Sequence, residues 1–230
     1  MKLPLLISVP HAGQIIPQEV KDYCALSPEQ ILADSDEGAS EIYDMKSEVA
    51  GFVTTDIARA IVDMNRAENN RSRDGIIKTH TSYDVQVYHQ PIVEDLIETL
   101  LDRYYRPYHK QLSEVSANVK FGFDCHTMAA VGPPSAKDSG CERPNICLSN
   151  AYSTCPQDWF EKITHCFEES FNSEVSINHP FKGGYIVRSH SSEIPWVQVE
   201  LSRAPFLEIA EKRECVIKAL ILFYQMVLNE

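Results

Sequence analysis

Apolar stretches of strand length alternate along this chain with longer stretches of helical period, and that succession sets the fold class. Residues 3–9 (LPLLISV) form an apolar run that stops at the turn signal Pro10-His11-Ala12-Gly13. Ser27-Pro28-Glu29-Gln30 reads as a helix start, with a serine cap and proline at the first helical position. A second helix is expected over 37–47. A run over 51–63 then alternates and turns apolar toward Asp63-Met64-Asn65-Arg66. The polar stretch 67–84, rich in Asn, Arg and Asp, is expected to be a long surface loop, of the kind that often serves as a lid.

Ile92, Leu96, Leu100, Tyr104, Tyr108 and Leu112 recur at four-residue intervals and predict a helix over 91–117, which Pro107 should kink or split. A strand over 119–125 should end at His126, followed by a loop over 129–142. Further strands are expected over 144–149, over 184–188 after Gly183-Gly184, and over 196–201. Helices are expected over 156–171 and 205–228.

Single strands alternating with helices imply an α/β fold: a three-layer domain with a mixed, mostly parallel sheet between helices on both faces. With 230 residues, 43% hydrophobic and 23% charged, the chain can bury one sizeable core. No Pro/Gly/Ser-rich linker divides it, so residues 1–230 are expected to form a single domain. In such sheets ligands bind beyond the carboxyl ends of the strands. His11, Asn65-Arg66, His126 and Glu200 each fall at or just past such an end, so four distant segments can meet in one crevice.

Composition narrows the partners. The net charge is −12 and no basic stripe is present, which argues against nucleic acid. The run LPLLISV is too short to span a bilayer and lacks the flanks of a secretory leader, and no other run is long and apolar enough, so no membrane role is expected. The seven cysteines include no CxxC pair and read as reduced thiols, which points to the cytoplasm. Nothing in the sequence sets an oligomeric state.

Two histidines from separate strand ends are the usual start of a catalytic zinc site, which takes three protein ligands and keeps a position for water. Asp124 precedes His126 by two and shares its sheet face, where an acid can orient the imidazole or the water. The third ligand should be a carboxylate, and Asp36, Glu37 and, less favoured, Asp34 are the candidates. Each feature has an ordinary alternative. The acidic run 34–37 could decorate a helix N-terminus, and Gly183-Gly184 could be a tight turn. His109 reads as a structural residue of its helix, and His80, His89, His165, His179 and His190 as hydrogen-bonded surface or core residues.

The motifs taken together are more specific. Pro10-His11-Ala12-Gly13, Asp36-x-Gly38-Ala39, Arg59-x-x-x-Asp63-Met64-Asn65-Arg66, Asp124-Cys125-His126-Thr127-Met128 and Gly183-Gly184-Tyr185 occur in one order. Tyr104-Tyr105-Arg106-Pro107-Tyr108-His109, Arg143-Pro144 and Val197-Gln198-Val199-Glu200 extend the series. In this the chain resembles the N-formylglutamate amidohydrolases from about residue 5 to 207, and more distantly the aspartoacylases and zinc carboxypeptidases. The resemblance implies a zinc-carboxypeptidase-like (phosphorylase/hydrolase-like) fold and a Zn2+ cofactor. The implied activity is hydrolysis of the amide bond of a small acidic N-acyl amino acid, with N-formyl-L-glutamate the best candidate.

The resemblance also implies roles. His11 and His126 would bind zinc, Glu200 would activate the water, and Arg59 would help polarise the scissile carbonyl. Asn65 and Arg66 would grip a substrate carboxylate, and Arg188 would be a second clamp. The carboxypeptidase-like relatives carry a ligating Glu three residues after the first histidine, where this chain has Gln14. The formylglutamate branch carries an Asp at Asp36 instead, which makes Asp36 the implied third ligand, ahead of Glu37.

Three other readings compete. The chain could be a zinc carboxypeptidase or peptide amidase, or a non-catalytic protein that binds an acidic metabolite on the same fold. A cysteine hydrolase using Cys125 beside His126 is disfavoured, because adjacent strand residues point to opposite faces.

Overall fold

The computed structural model describes residues 2–229. Its six strands are β1 (Leu3–Val9), β2 (Val49–Thr54), β3 (Phe121–Met128), β4 (Ile146–Ser149), β5 (Ser176–Ile177) and β6 (Trp196–Ser202), in the order β2-β1-β3-β6-β4-β5. The first four strands of that order run parallel. β4 is antiparallel to β6, and β5 is parallel to β4. The expected mixed, mostly parallel sheet is therefore present.

Alternation along β1, β3 and β6 divides the sheet into an apolar and a polar face. Leu5, Ile7, Val9, Phe121, Phe123, Cys125, Val197, Val199 and Leu201 share one face and pack with residues of α2 (Ala39–Ile42), α5 (Gln157–Phe171) and α7 (Ile209–Phe223). Burying an aromatic such as Phe121 or Phe123 there contributes about 1.5–3 kcal/mol.

The opposite face carries Ser8, Asp124, His126, Gln198, Glu200 and Ser202, all buried. Register lines them up: Ser8 stands beside Asp124, Asp124 beside Gln198, and His126 beside Glu200. An unpaired polar group in such a place costs about 1–3 kcal/mol, so this row needs partners. Partners come from Tyr108, from the Asn65 amide and from the backbone N–H of Gly184, just before α6 (Tyr185–His190). Two cores on opposite faces give the three layers.

Local signals explain several elements. α1 (Pro28–Asp34) begins at the serine cap anticipated at Ser27, which Gln30 completes into a capping box. α3 (Glu94–Leu100) continues through a π turn, Leu101–Tyr105, into α4 (Arg106–Ser116). Pro107 lies just beyond that turn; it cannot donate a helical hydrogen bond, and the widened turn takes up the break without ending the helix.

Other expectations are corrected. The stretch 184–188 is not a strand but the start of α6, because Asn65 and Gln198 accept from the backbone N–H groups of Ile186 and Gly184. Those caps from distant segments override the strand-like Ile186-Val187 pair. Regular helix over 37–47 is limited to α2, and strand over 51–63 to β2. Residues 57–65 are irregular yet largely buried. Nor is 67–84 wholly a surface loop, since Gly75, Ile76, Ile77 and Lys78 are buried. Among the described residues, no helix is long and apolar enough to cross a membrane.

Candidate active site

His11 sits in the turn that leaves β1, Asp36 between α1 and α2, and His126 two residues before the end of β3. One ligand atom from each lies within 4.8 Å of the other two, and all three residues are buried. The scaffold fixes them closely. Asp36 N–H donates to His11 O at 3.0 Å, Thr127 N–H donates to Asp36 Oδ2 at 3.3 Å, and the Tyr43 hydroxyl donates to His126 O at 2.9 Å.

Each imidazole is held from behind by an acid. Asp63 Oδ1 lies 2.7 Å from His11 Nε2, and Asp124 Oδ2 lies 2.9 Å from His126 Nε2. A carboxylate there accepts a hydrogen bond from Nε2–H, which fixes the proton on Nε2 and leaves Nδ1 with a lone pair. Both Nδ1 atoms converge on Asp36 Oδ2, at 3.6 Å from His11 and 2.8 Å from His126. His11 Nδ1 is buried and has no hydrogen-bond partner among the described residues. Edges of about 3.3 Å are what a tetrahedral site with bonds of about 2.0–2.1 Å requires. The donor set, the backing acids and the orphaned nitrogen together suit a divalent metal.

The other acidic candidates lie apart. Glu37 is exposed, and its backbone carbonyl accepts from Thr127 Oγ1. Asp34 is buried but engaged by the Ser82 N–H and hydroxyl, both at 2.7 Å, and by Lys78 at 3.2 Å. Gln14 is exposed.

Electrostatics follow from burial and close charges. Burial alone would raise the Asp36 carboxyl, but His11 and His126 hold it well below the usual range. His126 is lifted well above the usual imidazole value because Asp124, Asp36 and Glu200 outweigh its burial. Burial pushes Glu200 up to about 7; the charge of His126 and a 2.7 Å hydrogen bond from Gln198 Nε2 pull it down, and Asp36 adds to the rise. A carboxyl poised near neutrality, in register with a candidate ligand, suits a general base.

The arginines differ. Arg59 Nη1 meets Asp36 Oδ1 at 3.1 Å and its Nη2 lies 3.5 Å from Asp63 Oδ2, so it bridges both sides of the triad. Arg66 is partly exposed and pairs with Asp74 through Nη2 at 2.7 Å and with the Asp74 carbonyl through Nε at 2.8 Å. The Asn65 amide is engaged inside the protein: Nδ2 donates to Asp124 Oδ2 at 2.9 Å, and Oδ1 accepts from Ile186 N–H at 2.8 Å. Arg188 is exposed on α6, with Nε donating to Gly184 O at 3.0 Å.

The two glycines of Gly183-Gly184 have separate reasons. Gly183 has φ +98°, and a Cβ on Gly184 would meet Asn65 Nδ2 at 2.3 Å. Cys125 faces the apolar core, where burial raises its thiol well above the usual value, so it is no nucleophile.

Sequence reasoning missed Lys78, whose ammonium is buried and lies 3.2 Å from Asp34, 3.6 Å from Asp63 and 3.6 Å from Asp74. Its signal was the apolar pair Ile76-Ile77 inside a polar stretch. Asp63 stood in a motif without a role, and Gln198 passed as strand filling.

The family model for N-formylglutamate amidohydrolases matches residues 3–207. The chain is 25% identical over 227 residues to an N-formylglutamate deformylase of Pseudomonas putida, covering 91% of this chain and 84% of that relative. Among solved structures, an N-formylglutamate amidohydrolase from Ralstonia eutropha matches with a TM-score of 0.80 at 17% identity, over 100% of this chain and 96% of the other. A gene product of Agrobacterium tumefaciens matches with a TM-score of 0.78 at 17% identity, over 100% and 93%. The two structural likenesses speak for the fold.

Proposed function

This chain belongs to the N-formylglutamate amidohydrolase family, and from that premise we propose that it hydrolyses N-formyl-L-glutamate to L-glutamate and formate, with zinc held by His11, Asp36 and His126. The observation that carries the metal is the buried, unpartnered Nδ1 of His11, turned toward Asp36 while Asp63 holds the opposite nitrogen. Zinc, when bound, supplies Lewis-acid polarisation and lowers the pKa of a coordinated water from about 15.7 toward 7.

The chain's own residues do the rest. Glu200 takes a proton from the attacking water and returns it to the leaving amine, one positioned carboxylate serving as base and then acid. Gln198 orients it: the Gln198 carbonyl oxygen accepts from Gly184 N–H, which leaves the amide NH2 to donate to Glu200 Oε1. Arg59, beside Asp36, faces the charge that develops on the formyl oxygen. Arg66 grips a substrate carboxylate in place of Asp74, Asn65 supports it through its backbone carbonyl, which accepts from Arg66 Nη1 at 3.2 Å, and Arg188 is a second clamp. We place the protein in the cytoplasm, where its seven free thiols would persist.

A panel of N-formylglutamate, N-acetylglutamate, N-acylaspartate and short peptides, followed by release of free amine in the presence of zinc, tests the reading. Preference for N-formylglutamate is expected. Turnover confined to peptides would favour a peptidase or peptide amidase, and no turnover with tight binding would favour a metabolite-binding protein.

A further inference from the structure

Tyr104-Tyr105-Arg106-Pro107-Tyr108-His109 is a prominent sequence motif that the reaction does not use, and the π turn Leu101–Tyr105 ends inside it. Two of its side chains, one at the end of the π turn and one in α4, reach the same short segment of chain. The Tyr105 hydroxyl donates to Arg66 O at 2.7 Å, and His109 Nε2 lies 3.0 Å from Met64 O. The carbonyls on either side of Asn65 are thereby held from one helix.

Hydrogen-bond direction fixes the protons. A carbonyl only accepts, so His109 is protonated on Nε2; burial keeps the ring neutral, so its Nδ1 presents a lone pair. That Nδ1 lies 2.9 Å from His190 Nε2, which must donate. His190 Nδ1 faces the two oxygens of Glu193 at 3.2 and 3.1 Å, and an ionised carboxylate also only accepts. The chain runs one way, from His190, paired with Glu193, to neutral His109 and on to Met64 O. Burial and the neighbouring charge of His190 hold His109 down at about 4, which agrees with its neutral role. Ser113 donates to Glu193 Oε1 at 2.8 Å, and Tyr105 and Tyr185 pack on the His109 ring.

We propose that Tyr105 and His109 are positioning residues for Arg66, fixing the backbone on both sides of Asn65 so that the guanidinium meets an incoming carboxylate in one orientation, with His190 and Glu193 setting the tautomer and angle of His109. The proposal rests on the assignment of Arg66 as the carboxylate clamp. A tie that merely joins α4 to this segment would stabilise the fold without setting affinity for an anion.

The test is calorimetric titration of the full-length, zinc-supplemented protein with glutarate, a dicarboxylate with no bond to cleave. Arg66→Gln should weaken binding at least about tenfold. Tyr105→Phe and His109→Phe should each weaken it roughly 5- to 30-fold, the effect of losing one buried hydrogen bond. His109→Gln, whose amide can still donate to Met64 O, should stay within about threefold of wild type. Adding Tyr105→Phe to Arg66→Gln should cause no further loss, because both act on one contact. Wild-type affinity in Tyr105→Phe and His109→Phe, full additivity with Arg66→Gln, or no glutarate binding by the wild type would each overturn the proposal. Should His109→Phe not fold, Tyr105→Phe alone, which removes a single hydroxyl, decides it. Turnover of N-formylglutamate by the wild type reads the proposed reaction separately: glutarate held through Arg66 without turnover retires the reaction and leaves the positioning intact.

Discussion

Asp63 Oδ1 sits 2.7 Å from His11 Nε2, so the ring's proton is held at the back and its free nitrogen faces Asp36 and His126. Acids behind ligating histidines fix the tautomer and raise ligand basicity. Asp63→Asn keeps an oxygen for that hydrogen bond and removes the charge. Zinc affinity, measured by chelator competition, should fall about 10- to 100-fold. Unchanged affinity would separate Asp63 from the metal.

Glu200→Gln keeps the shape of the side chain and removes the base. Turnover of N-formylglutamate should drop by roughly 10²- to 10⁴-fold, the usual range for general acid–base assistance, with zinc content unchanged. Full turnover with zinc bound would take Glu200 out of the mechanism.

The pH dependence of Glu200 has two signs. Its folded pKa, about 7, stands above the unfolded value near 4.3. The stability it contributes is therefore complete below about pH 4.3 and is lost as pH rises through about 7. Denaturant titrations of the metal-free protein should show wild type losing stability across that window relative to Glu200→Gln, and a constant difference between the two would contradict the raised pKa. Catalysis runs the other way, since the base must be ionised. Activity should rise with pH to a plateau whose midpoint lies at or below 7, because a bound cation favours the ionised form.

Gly184→Ala places a methyl group 2.3 Å from the Asn65 amide. Asn65 joins Asp124 to the first turn of α6, so the substitution disturbs the support of His126 and the start of that helix together. Thermal stability and zinc affinity should both fall, and a variant that loses neither would show that the close approach is not needed.

The central strands and the residues at their ends were legible because their signals are local. Parity along residues 121–128 and 196–202 separates the apolar row from the polar one, and register then sets His126 beside Glu200. α6 was misread because its start is capped by Asn65 and Gln198, from segments distant in the sequence. Lys78 was hidden for a similar reason: its carboxylate partners Asp34 and Asp63 come from other segments, and only the folded chain brings them to a lysine in a polar stretch. The motif at Tyr105 and His109 was visible as a pattern, but its targets are backbone carbonyls, which leave no trace in the sequence.

The most direct measurement is titration of the metal-stripped protein with zinc while N-formylglutamate hydrolysis is followed. Negligible rate is expected without metal, followed by a linear rise that breaks at one equivalent. The same titration of His11→Ala should give no break. Full activity in the stripped protein, or none at any zinc level with the chain folded, would contradict a zinc-dependent deformylase.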